Sequence, residues 1–116
     1  MYVNDAIGYR MNTEQVLFYS WNAFGTADAI SFRANQLRIH DLKTGATKTS
    51  LQQLEVYAAF FCLEYDVDPS DIEIELRIYQ NDDIVGGIPE TQVIVNHMKV
   101  IVEHDKLLNE LRSEEL

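Results

Sequence analysis

Cysteine is nearly absent: Cys62 is the only one. A single thiol cannot form an intrachain disulfide, and it cannot hold an iron–sulfur cluster, which needs several thiolates. Set in the apolar run Ala-Phe-Phe-Cys-Leu, Cys62 reads as a buried, inert side chain. Also missing is any apolar stretch near the roughly 18 residues of a membrane span. The first eleven residues have polar side chains interspersed throughout and lack the hydrophobic stretch of a signal peptide. The expectation is a soluble protein of the cytoplasm, with no membrane partner. Basic residues are scarce, nine Lys and Arg against nineteen Asp and Glu, for a net charge of −10. The imbalance is uneven. Residues 1–54 hold five basic and four acidic side chains, leaving four and fifteen for the remainder. Such a surface repels phosphate, so a nucleic-acid ligand would have to be held by metal ions and a few well-placed cations.

With 116 residues, 47% of them hydrophobic, the chain is expected to form one domain with a modest core. Residues 2–11 allow a short helix that Gly8 weakens. Residues 14–20, 25–33 and 36–43 are rich in β-branched and aromatic types and read as a three-stranded meander, with turns at 22–25 and at Ala34-Asn35. Thr44-Gly45-Ala46-Thr47 reads as a loop. Ser50 and Gln53 have the spacing of a capping box. The helix that follows, about 51–66, places Leu51, Leu54, Ala58, Phe61 and Tyr65 on one stripe. Residues 72–80 alternate as a half-buried strand. Residues 81–89, with Gly86-Gly87, read as a loop. Residues 92–113 read as a long helix with Val95, Met98, Ile101, Val102, Leu107, Leu108 and Leu111 available for burial. The predicted class is α/β (α+β), a mixed sheet flanked by helices. A crossover helix between the third and fourth strands permits parallel pairing there.

The chemistry concentrates at the end of the third strand. Asp41 and Lys43, two apart, share a face, while His40 and Leu42 point the other way. Asp28, in Gly25-Thr26-Ala27-Asp28, belongs to the neighbouring strand and can approach Asp41. Two carboxylates brought together repel, which favours a hard divalent cation between them. The Leu42 backbone carbonyl is a further candidate oxygen ligand. Gln53 and Tyr57 share a helix face that can look back at the pair. The arrangement suits metal-assisted phosphodiester hydrolysis, with Asp28 and Asp41 holding Mg²⁺ or Mn²⁺ and Lys43 orienting water or steadying developing negative charge. Gln53 and Tyr57 would position the metal shell or the DNA backbone. His97 and His104, seven apart on the last helix, do not have metal-pair spacing.

Three motifs in order carry a family resemblance: G-x-x-D ending at Asp28, D-x-K-T-G beginning at Asp41, and Q-x-x-x-Y from Gln53 to Tyr57. Together they resemble the RecB-type and phage exonuclease branch of the PD-(D/E)XK nuclease superfamily, over about residues 14–80. The resemblance implies a restriction-endonuclease-like αβββαβ core followed by a C-terminal helix. It also implies Asp28, Asp41, Lys43, Gln53 and Tyr57 as catalytic residues, and Asp28, Asp41 and the Leu42 carbonyl as ligands of Mg²⁺ or Mn²⁺. No iron–sulfur cluster is expected. The implied activity is a metal-dependent deoxyribonuclease acting in phage DNA recombination or replication, with DNA as partner. The family has a further acid or His on a helix before the first strand, and often an N-terminal extension. Only Asp5 and Glu14 are available for that role here. The alternative is therefore a catalytically inactive nuclease-fold subunit that binds a protein partner or its own copies.

Overall fold

A computed structural model describes residues 1–44 and 50–115 of the chain. The element order is α1 (Tyr2–Gly8), β1 (Asn12–Ser20), β2 (Ala23–Arg33), β3 (Gln36–Leu42), α2 (Gln52–Glu64), β4 (Glu73–Gln80), β5 (Asp83–Gly87) and α3 (Thr91–Glu115). The five strands form one mixed sheet in sequence order. β3 and β4 pair in parallel across α2, and the other neighbours are antiparallel. The fold is α+β.

The alternation of β3 and β4 sorts the sheet into two faces. Leu37, Ile39, Ile74, Leu76 and Ile78 turn toward α2 and are buried. Leu54, Ala58, Phe61 and Cys62 of α2 meet them. The opposite face carries Arg38, His40, Glu75, Arg77 and Tyr79, and α1 packs against it through β3. Tyr79 donates to Asp5 Oδ2 at 2.6 Å, and Arg77 lies 3.5 Å from the same oxygen. The Tyr9 ring lies under the Arg38 guanidinium, 4.0 Å from its centroid.

Several expectations change. The segment 81–89 is not a loop: Asn81 and Asp82, with φ of 51° and 66°, turn the chain into β5, which pairs with β4 through Gly86 and Gly87. Two consecutive left-handed residues make the twist of a two-residue hairpin, and Asn and Asp tolerate that geometry. β1 begins at Asn12, and β2 begins at Ala23, inside what read as a turn. The Ala34-Asn35 turn stands, with φ of 51° and 60°. No capping box forms. Ser50 Oγ accepts from the Gln52 N–H at 3.1 Å, whereas the Gln53 side chain turns to Lys43 and Tyr57. Of the predicted α2 stripe, Tyr65 falls beyond the helix and is exposed. On α3 the fully buried residue is Ile94, while Leu107 and Leu111 are exposed. Of the expected loop 44–47, Gly45, Ala46 and Thr47 lie outside the described residues.

Candidate active site

β2 and β3 separate where the chemistry was expected. Their backbone pairing runs from Arg33↔Gln36 to Ala29↔His40 and stops. Continued by one step, the register would set Asp28 opposite Asp41. Instead the Asp28 side chain enters the gap and its Oδ2 accepts the Leu42 N–H at 3.0 Å. A local irregularity on β2 makes room. Gly25 and Ala27 face α2, and so do Ile30 and Phe32, which breaks strict alternation between Ala27 and Ile30. On β1, Glu14 is skipped between the pairs Thr13↔Ala29 and Gln15↔Ala27 and has a φ of 51°. An offset of this kind re-aims a side chain at the end of a pairing.

Asp41 sits on the core face, next to Ile78 across the parallel ladder, and is 5% exposed. Lys43 Nζ lies 2.7 Å from its Oδ2. The contact is an ion pair, and Oδ2 itself is buried. Burial pushes the Asp41 carboxyl up to about 6; the adjacent Asp28 adds to the shift and Lys43 opposes it. Lys43 is held above the usual lysine range, chiefly by its contact with Asp41.

A relay continues from Lys43 to α2. Lys43 Nζ donates to Gln53 Oε1 at 3.3 Å, and Gln53 Nε2 donates to the Tyr57 hydroxyl at 3.0 Å. Burial and then the Asp41 charge raise the Tyr57 phenol. Its ring lies against Gly25, where an added Cβ would come within 2.6 Å of Cε1. The glycine of the first motif is therefore a contact requirement. All five side chains picked from the sequence converge on one end of the sheet.

The Leu42 carbonyl follows from strand geometry. In an extended residue the N–H and C=O project to the same edge. Leu42 gives its N–H to Asp28, whereas Lys43 gives its N–H to Tyr79 O at 2.9 Å on the β4 side. The Leu42 carbonyl therefore faces the Asp28 side.

Sequence reasoning missed Tyr2. Its phenol is raised by burial and then by the charges of Asp28, Asp41 and Glu14, and its ring meets Tyr79 edge-on at 5.5 Å. Tyr2, Leu42 and Tyr79 line a cleft of about 300 Å³ between the start of α1 and the β4–β5 turn. No sequence signal marks it, because α1 reaches the site only through tertiary packing. Of the two candidates for a further acid, Asp5 is committed to Tyr79 and Arg77 on the far face beside His40. Glu14 is exposed and near enough to act on Tyr2. His40 is fully buried on the far face, where its Nε2 meets Glu75 Oε1 at 3.0 Å, as its parity required. His97 lies 3.3 Å from Glu55 Oε1, and His104 is exposed.

Among the described residues no three His, Cys, Asp or Glu side chains cluster as a metal centre. The donors at this end suit a hard cation of another kind. Two carboxylates and a main-chain carbonyl are oxygen donors, and Mg²⁺ is often held by one or two carboxylates with water and phosphate completing its shell. The buried Asp41 carboxylate, which Lys43 contacts through Oδ2, is the group such an ion would bind. A larger cavity of about 570 Å³ lies elsewhere, between α2 and α3, bounded by Cys62, Met98 and Val102. The Cys62 thiol is pushed up to about 11 by burial, as expected of an inert side chain.

No family model and no curated protein matches the chain. A solved structure, "Crystal structure of SSO0001", superposes on 88% of it with a TM-score of 0.45 and 15% sequence identity. The chain spans 54% of that structure's length. Among the described residues no helix is long and apolar enough to cross a membrane.

Proposed function

We propose that this end of the sheet is a divalent-metal phosphodiesterase centre acting on DNA, of the PD-(D/E)XK type that the three motifs resemble. The observation that carries the reading is the buried Asp41 carboxylate, with Asp28 beside it and the Lys43 ammonium 2.7 Å from its Oδ2. Asp28, Asp41 and the Leu42 carbonyl would hold Mg²⁺ or Mn²⁺. The ion, when bound, would polarise the phosphate and make a hydroxide nucleophile accessible near neutral pH. Lys43 stays protonated and sets a positive charge beside the reacting phosphate, where negative charge grows. Gln53 fixes the ammonium through its Oε1 and is itself steadied by Tyr57. Asp28 holds the Leu42 N–H, which keeps the two strand ends at a fixed separation.

Calorimetric titration of Mn²⁺, with linear DNA digested in parallel, tests this. Asp41→Ala is expected to abolish metal binding, with cleavage falling together with it. Lys43→Ala is expected to keep the metal and lose about a hundredfold to a thousandfold in rate, the loss seen when one charge-stabilising donor is removed. Undiminished cleavage in both variants would sink the assignment. Binding without cleavage in the unaltered chain would instead favour an inactive nuclease-fold subunit. The commitment of Asp5 to Tyr79 and Arg77 is the observation on that side.

A further inference from the structure

β1 and β2 stay paired beyond the point where β2 leaves β3. The β2–β3 ladder stops at Ala29↔His40, yet Ala27, Thr26, Gly25, Phe24 and Ala23 continue to pair with β1. The hairpin therefore overhangs the end of the sheet that carries Asp28 and Asp41. One of its faces belongs to the core: Leu17 is buried, and Gly25 lies on the Tyr57 ring. The other face carries the cross-strand pair Phe18↔Phe24, stacked with ring centroids 6.2 Å apart. Trp21 folds back from the turn onto Phe18 at 5.1 Å. Trp21 is 82% exposed and Phe24 54%.

This is a fixed hairpin. Ser20 Oγ donates to Asp105 Oδ1 at 2.5 Å, and Asn22 Nδ2 donates to Asp105 Oδ1 at 2.8 Å and to Asn109 Oδ1 at 3.0 Å, so α3 holds the turn. Aromatic area kept in water on a buttressed hairpin adds little to folding and marks a contact surface.

Position and charge select what it contacts. Phe24 is four residues from Asp28 along β2, about 13 Å at the rise of a strand. Phe18 and Phe24 lie on the face opposite the one that carries Asp41, so a strand seated at Asp28 would round the end of the sheet to reach them. The chain carries −10, and Arg38 and Arg77 are bound to Glu75 and Asp5. Base faces, which aromatic rings take without a cation, would then supply a part of the grip on an anionic polymer that charge does not.

We infer that Trp21, Phe18 and Phe24 form a stacking platform for unpaired bases beside the scissile phosphodiester, which makes a single-stranded stretch of DNA the substrate class. The inference rests on the phosphodiesterase reading. Trp21 is the only tryptophan, so its fluorescence reports this platform alone. Short oligothymidine titrated into the full chain without divalent metal is expected to quench it saturably, and blunt duplex DNA much less. Phe24→Ala, at an exposed position, is expected to weaken oligothymidine binding about tenfold while leaving Mn²⁺ binding and the melting temperature unchanged. Trp21→Ala, read by anisotropy of a labelled oligonucleotide, is expected to weaken it at least as much.

Absence of quenching, with unchanged anisotropy in Trp21→Ala, overturns the platform. Equal quenching by duplex overturns the single-strand assignment. Fluorescence that follows protein concentration and ignores the oligonucleotide assigns the face to a second copy of the chain, which also overturns it. The metal-free titration separates the two readings. Quenching without cleavage removes only the phosphodiesterase, and cleavage without quenching removes only the platform.

Discussion

Asp41 is an acid placed where a neutral side chain would pack better. Burial and the adjacent Asp28 raise its carboxyl to about 6, against an opposing pull from Lys43. A carboxyl raised above its unfolded value makes the folded state bind more protons than the unfolded one. Its contribution to stability is complete below about pH 4 and is lost as pH rises through 6. For the metal-free protein, Asp41→Asn is therefore expected to match the unaltered chain near pH 4 and to exceed its stability at pH 7.5. The upper figure is on the order of 3 kcal/mol, lessened because Lys43 loses its partner. Urea denaturation at the two pH values measures it. An Asn variant that loses ground at pH 7.5 would mean that the Lys43 pair outweighs the burial. His40 acts in the opposite direction. Burial lowers its imidazole, so its contribution is lost as pH falls below the ordinary histidine value. Because His40 is present in both proteins, comparing them cancels this effect. The parity of Asp41, Lys43 and His40 was legible in the sequence, since alternation on a strand is a local rule. The extent of burial was not, because it depends on β4 and α2 closing over the strand.

At the scale of elements, β2 shows where local rules stop. Its apolar residues identify a strand, but strict alternation would put Ala27 and Ile30 on opposite faces. Both are in the core, so an offset lies between them, and Asp28 is aimed by that offset. β5 was missed for a different reason. Asp83–Gly87 has two glycines and little burial, and it becomes a strand by pairing with β4 across the Asn81-Asp82 turn. The contact between β2 and α2 was hidden too, although its residues, Gly25 and Tyr57, both stand in the motifs. A Cβ at Gly25 would press on the Tyr57 ring at 2.6 Å and draw its hydroxyl away from Gln53. Gly25→Ala is expected to lower stability by about 1–3 kcal/mol, the usual range for overpacking. Tyr57→Leu in the same chain should restore much of the loss by removing the ring. Thermal melts of the single and double variants decide this, and an unshifted Gly25→Ala melt would show that the ring yields freely.

For the whole molecule, the charge balance and the candidate site make opposing demands. A polymer that carries one charge per phosphate is usually gripped by a track of cations, and this chain has only nine Lys and Arg. Among the described residues three of those are engaged in ion pairs, Arg38 with Glu75, Arg77 with Asp5 and Glu75, and Lys43 with Asp41. Each phosphate neutralised by a cation contributes about −0.7 to the slope of log affinity against log salt for a single strand. With one or two such contacts the metal-free slope for oligothymidine should be shallower than about −2. Base stacking, which releases few ions, would then carry most of the affinity. Fluorescence titrations across a range of KCl concentrations measure the slope directly. A slope near −5 would require a continuous basic track, and the affinity would then be electrostatic and the aromatic hairpin incidental. A shallow slope would support the proposed arrangement, in which bases would stack at the hairpin and the phosphate would sit where Lys43 and a divalent ion offset the acidic surroundings.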